Sequence, residues 1–342
     1  MAAILILLVA ADVIYWQVAS ARLRTGLQTW IAEQRAQGWE VESGSFAIGG
    51  WPRTATVTVT NLTLRHSGLE LPGNVSWASA VMTVSLSLYH PAELQIGLTG
   101  PQHVRIGDVP DAIVTGDQIV LSVGSLGQGR LPLLLRAKSL RVEPASGAWH
   151  VTVGLLNADG DVTPAAGRSQ PAIGFSVSIE AIALPAIVKW PLGPNISSLT
   201  ITGALNGPLP HVRDITAWAR AWRDGGGSLG ISHSAIGWGP MGATCTATLA
   251  LDDQLQPAGS GRGRWVGYAE TLDRLAAFGV LSRSAAMAAK AVLSLIAGTG
   301  MAGNGDIDQP PVVDVPLTLQ YRTLSMHQVP LVRLPELDWP DR

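Results

Sequence analysis

From residue 39 to about 205 the chain alternates. Thr54, Thr56, Thr58 and Thr60 take one parity while Ala55, Val57 and Val59 take the other, and Met82, Val84, Leu86 and Leu88 alternate with Thr83, Ser85 and Ser87. Successive side chains of an extended strand point to opposite faces, so this pattern predicts strands with one apolar face and one hydroxyl-bearing face. The signature returns at Leu94, Ile96, Leu98, at Ile119, Leu121, Val123, at Val151, Val153, Leu155 and at Ile173, Phe175, Val177, Ile179. Turns of Gly, Pro, Asn and Asp separate these runs. Two runs change parity part-way: Val57 and Val59 give way to Leu62 and Leu64, and Leu131, Leu133 and Leu135 to Leu140 and Val142. A change of parity turns the side chains over, so each implies a bulge or a bend.

Helical periods interrupt the strands. Leu23, Leu27, Trp30 and Ile31 recur at helical spacing, and Gly38 supplies the left-handed residue that ends such a helix. A second helix is expected from near Pro210, with Ile215, Trp218, Ala219 and Trp222 on one face and Gly225-Gly226-Gly227 as its stop. A third helical stretch opens at Leu272, Leu275 and Phe278 and runs, with a break near Gly279, to about Ala297. Val313, Val315, Leu317, Leu319 and Tyr321 make the last clear strand. Pro330, Pro335 and Pro340 mark a tail that cannot donate a full ladder. The expected organisation is an anchor or signal at 1–21, a helical extension at 22–38, a β meander at 39–207 and a second β subregion at 208–342 with helices near 210–224 and 270–297. The expected fold class is mainly β: an amino-terminal transmembrane helix, then a long curved antiparallel sheet, a half-open trough or incomplete barrel, with a few short helices.

Residues 1–21 are the one stretch approaching the roughly 20 apolar residues that cross a bilayer. Ile4, Leu5, Ile6, Leu7, Leu8, Val9, Val13, Ile14 and Val18 each favour insertion by about 0.3–0.6 kcal/mol, whereas Asp12 opposes it by about 2.5–3.5. An uncleaved anchor is preferred over cleavage at Val18-Ala19-Ser20-Ala21 or a buried helix. Arg22, Arg24 and Arg35 follow the segment and no Lys or Arg precedes it, which by charge alone keeps the bulk of the chain cytoplasmic. A native start upstream of Met1 removes that conflict.

Composition narrows the chemistry. Only 14% of the 342 residues are charged and the formal net charge is −2, so the basic excess that neutralises nucleic-acid phosphates is missing. The single cysteine, Cys245, excludes an internal disulfide framework and a Cys-rich metal cluster. Seven histidines are scattered without ligand spacing, so no metal or other cofactor is expected. The i,i+2 carboxylates Glu40/Glu42, Asp159/Asp161 and Asp306/Asp308 read as solvated turns and strand ends. Gly298-Thr299-Gly300-Met301-Ala302-Gly303 spells a dinucleotide fingerprint but follows an apolar helix instead of a strand, so it reads as a helix end and loop. Twelve tryptophans against three phenylalanines are unusual, and Trp39, Trp51, Trp238 and Trp265 beside glycines are expected to plug strand ends. Nothing assembles a nucleophile, a base and an orienting group, so no enzyme is expected.

The chain resembles domain-of-unknown-function family 2125, envelope proteins of alphaproteobacteria. The residues that carry the resemblance are Trp30, Gly38-Trp39, Gly49-Gly50-Trp51-Pro52 opening a strand, Ala221 to Gly227 including Gly226, Trp238-Gly239-Pro240, Asp252-Asp253 and Gly267 to Leu272. The glycine-aromatic-proline opening also looks like that of AsmA-type β-trough proteins. The resemblance implies an inner-membrane anchor with a β-rich domain on the periplasmic side, and brings no established activity or catalytic residues.

The expected function is therefore binding or bridging of lipid, or of another apolar envelope ligand, by a membrane-anchored periplasmic protein. The candidate groove lining is Met82, Val84, Leu86, Leu88, Leu94, Ile96, Leu98, Ile119, Leu121 and Val123. The alternative is a non-catalytic scaffold that docks protein partners by strand addition. Expected partners are the membrane, through the amino-terminal helix, and a lipid.

Overall fold

The computed structural model describes residues 2–67, 75–89, 91–107, 109–125, 129–168, 170–212, 214–300, 313–326 and 329–339. Among them are seventeen strands and four helices, and the described strand pairs are antiparallel. The expectation of a mainly β chain is met. Two compact units divide it, residues 1–161 and 162–342.

The first unit opens with α1 (Ala2–Ala36). The Trp39 amide donates to the Gln34 carbonyl and the Gly38 amide to Arg35, and Gly38 has φ +89°, the left-handed ending expected there. Strands β1 (Glu40–Glu42) and β2 (Phe46–Gly49) both pair with β3 (Thr54–His66), which pairs with β4 (Val75–Ser87), and that with β5 (Glu93–Ile106). Next come β6 (Ala112–Thr115) and β7 (Gln118–Gly124), both between β5 and β8 (Leu131–Pro144). In β9 (Val151–Val162), Val153 and Leu156 pack on Ile119, Ala137 and Leu140.

Both expected parity changes fall on a single crease. Asn61 in β3 and Ser139 in β8 have φ of 49° and 52°, and Gly100 in β5 has 79°. The register aligns these with Gly44, where the edge breaks between β1 and β2, and with Gly116, where it breaks between β6 and β7. A left-handed residue inserted in a strand reverses which face its neighbours occupy. All the strands reverse together, so the apolar side stays continuous: Val57, Val59, Met82 and Val84 before the crease pass to Leu62, Leu64 and Trp77 beyond it.

α1 departs from expectation. Among the described residues no helix is long and apolar enough to cross a membrane. Asp12 interrupts the apolar run, and from Trp16 onward one side of the helix is committed to the sheet. The Trp16 indole donates to the Thr54 carbonyl at 3.1 Å and to Gly49 at 3.3 Å, and Arg35 donates through Nε to Val41 at 3.0 Å. These two pins lay α1 along β3, so Leu23, Leu27 and Ile31 meet Val57, Val59 and Leu62.

The second unit is a meander of β10 (Pro171–Ala183), β11 (Asn195–Asn206), β12 (Ser228–Trp238), β13 (Met241–Leu251), β14 (Pro257–Val266), β15 (Val313–Gln320), β16 (Thr323–Met326) and β17 (Val329–Arg333), each paired with the next. No described pairing joins β17 back to β10 to close a barrel. α2 (Ile215–Asp224) starts five residues later than Pro210, because the Asp214 carboxylate caps it by accepting from the Ala217 amide. α3 (Tyr268–Ala277) and α4 (Arg283–Gly300) are separate helices divided at Gly279, where φ is 78°. Tyr268 and Leu293 pack on Val313 and Val315. β16 and β17 were not expected in the proline-rich tail; Pro330 is accommodated where the register slips between Leu324 and Ser325. Residues 301–303 and the pair Asp306/Asp308 lie outside the described residues.

Candidate functional site

Register assembles the predicted apolar residues into three rows across β3, β4, β5, β7 and β8. Ala55, Leu86, Leu94, Val123 and Leu133 form one, Val57, Val84, Ile96, Leu121 and Leu135 the next, and Val59, Met82, Leu98, Ile119 and Ala137 the third. Leu88 is buried just past the end of β4. A helix about 10 Å across covers about two strands spaced about 4.8 Å apart. Pinned over β3, α1 buries Val57 and Val59 completely but leaves Leu94, Ile96, Leu121 and Val123 half-buried.

The step between covered and uncovered strands is a recess of about 390 Å³. Met82, Val84, Leu94 and Ile96 form its floor, and Leu23, Leu27 and Trp30 of α1 form its wall. Arg22 is the one charged side chain among the described residues that line it, and Gly26 leaves the wall low. Its volume lies within the roughly 300–1,000 Å³ usual for small-molecule sites. Leu98 packs between this cluster and the one around Ile119 and Ala137. Of the ten expected groove residues, Met82, Val84, Leu94 and Ile96 line the recess and Leu86, Leu88, Leu98, Ile119, Leu121 and Val123 do not; the spacing of Leu23, Leu27 and Trp30 predicts a helix but not the strand it lies on.

The remaining motif residues, Gly38, Gly50, Trp51, Pro52, Gly226, Trp238 and Gly239, do not line the recess. The Trp238 indole donates to Gly193 at 2.8 Å beside the turn at Gly239, where φ is 56° and an added Cβ would lie 2.3 Å from the Leu192 carbonyl oxygen. Trp39 is stacked on His66 with ring centres 4.9 Å apart. Gly226 follows α2, and Gly50 precedes the cis Trp51-Pro52 peptide. Trp51 is 49% exposed, so it plugs nothing. No cluster that could hold a metal occurs among the described residues. Burial pushes the Cys245 thiol pKa up, opposed by a hydrogen bond with Ser234. The Asp111 carboxyl is held below its usual range, chiefly by the hydrogen bond from Arg105.

A family model described as an uncharacterized protein conserved in bacteria matches residues 16–335. The chain belongs to the DUF2125 family. No curated protein and no solved structure matches it. The DUF2125 match starts at Trp16, the residue that pins α1 to the sheet, and so takes in the whole lining of the recess and most of both units.

Proposed function

We propose that this DUF2125 protein is a binding protein without catalytic activity, and that the recess between α1 and strands β4 and β5 holds the acyl chain of an anionic amphiphile. The carrying observation is the recess itself: seven apolar side chains around one arginine. Arg22 has no ion pair among the described residues, which suits it to the carboxylate or phosphate head of the chain. Each methylene buried contributes about 0.8 kcal/mol, so eight would give about 6 kcal/mol before ordering costs.

The same reading accounts for the front of α1. Ile4, Ile6, Leu7, Val9, Ile14, Tyr15 and Val18 are exposed there, a larger apolar surface than a soluble monomer usually leaves in water. In this proposal they contact the inner membrane, with the β units on the periplasmic side. Native mass spectrometry of gently extracted full-length protein tests the ligand. A bound amphiphile, absent from the Ile96→Glu variant, is expected; bare protein that also takes up no added dodecanoate would defeat the proposal.

A further inference from the structure

Beyond the crease, on the hydroxyl-bearing face of the first unit, register aligns one row across four strands. Glu40 stands opposite Arg65, Arg65 opposite Ser76, and Ser76 opposite Arg105. Thr63, Ala78 and His103 form the next row on that face. Together the two rows line a hollow of about 480 Å³. This is the opposite side of the sheet from the apolar recess.

The two arginines are separated by two strand spacings, about 10 Å between backbones, with the Ser76 hydroxyl between them. Long side chains on one face can converge over that gap on an anion. Arg105 is held from the far side: its Nη2 donates to Asp111 Oδ2 at 2.6 Å and its Nε to Oδ1, leaving Nη1 without a bond among the described residues. Arg65 makes no hydrogen bond and no ion pair among the described residues, even with Glu40 opposite. With Asp111 bonded beyond Arg105, the line runs acid, base, hydroxyl, base, acid, with the two guanidinium groups innermost.

We propose that this hollow binds a phosphoryl group, with Arg65 and Arg105 donating to its oxygens and the Ser76 hydroxyl completing the cradle. Guanidinium groups suit this ligand because their planar forks donate two parallel hydrogen bonds to phosphate oxygens. The free phosphate of a small molecule and the head of a phospholipid share that chemistry.

Calorimetry on the full-length protein with inorganic phosphate, and sedimentation with vesicles containing phosphatidic acid, test the site and separate the two sources. Saturable one-to-one binding in at least one arm is expected, weakened about tenfold or more by Arg65→Gln and by Ser76→Ala. Arg65→Lys, which keeps the charge and loses the fork, should fall between. Arg262→Gln, in the exposed arginine pair around Asp314 of the second unit, should leave binding unchanged. Circular dichroism of each variant confirms that the sheet is intact. Absence of saturable binding in both arms, or an equal loss in Arg262→Gln, would overturn the proposal. Neither result depends on the apolar recess.

Discussion

Gly26 offers a way to fill the recess from inside. It lies within α1, lines the recess, and an added Cβ would meet nothing within 4 Å. Replacing a helical glycine by a good helix former stabilises by about 1 kcal/mol. A leucine here would also cover part of the floor made by Met82 and Ile96; full burial of leucine is worth about 1.5–3 kcal/mol, and the exposed position of Gly26 limits it to about 1. Gly26→Leu should therefore stabilise the first unit by about 2 kcal/mol, raising its unfolding temperature by about 4–8 °C. Gly26→Ala should give about half of that. The same leucine competes with an acyl chain, so displacement of a fluorescent fatty acid should show affinity about tenfold weaker in Gly26→Leu and little changed in Gly26→Ala. Calorimetric unfolding and that titration together read the reasoning. A destabilised Gly26→Leu would mean that the space is already filled, and undiminished binding would place the ligand elsewhere.

Other consequences follow from particular contacts. At Gly227 an added Cβ would lie 2.3 Å from ring carbons of Trp222, a buried side chain whose indole donates to the Asn206 carbonyl. Gly227→Ala should destabilise by about 1–3 kcal/mol in denaturant unfolding, and an unchanged midpoint would show that α2 is not seated as described. The raised pKa of Cys245 means less thiolate at pH 8, so iodoacetamide should modify it more slowly than a cysteine in an unfolded peptide; equal rates would contradict its burial. The Asp111 carboxyl has a folded pKa below its unfolded value, so its stabilising contribution is present above the usual carboxylate range and is lost as pH falls through the folded value. An NMR titration should find its midpoint below the usual carboxylate range, and Asp111→Asn should abolish that step.

Much of the sheet was legible because its alternation is strict and because a parity change in a strand with a buried face calls for a bulge or a bend. Val59 to Leu62 and Leu135 to Leu140 marked the crease from the sequence alone. What joins them is register, a property of distant pairs, so the alignment of Asn61 with Gly100 and Ser139 could not be read from any one segment. The same holds for Arg65, Ser76 and Arg105, which carry no local motif. Composition along residues 1–21 suggested a membrane crossing, but Trp16 finds backbone acceptors at Gly49 and Thr54 that hydropathy does not register. The β16–β17 hairpin was hidden by Pro330, which a strand next to a register slip tolerates.

In the proposed complex an acyl chain lies between α1 and strands β4 and β5. A fatty acid carrying a diazirine near its methyl end, photolysed on the full-length protein and mapped by peptide mass spectrometry, locates that chain. Labels should concentrate on residues 22–30 and 82–96 and be suppressed by Gly26→Leu. Labels spread evenly over the chain, or concentrated in the second unit, would contradict that placement.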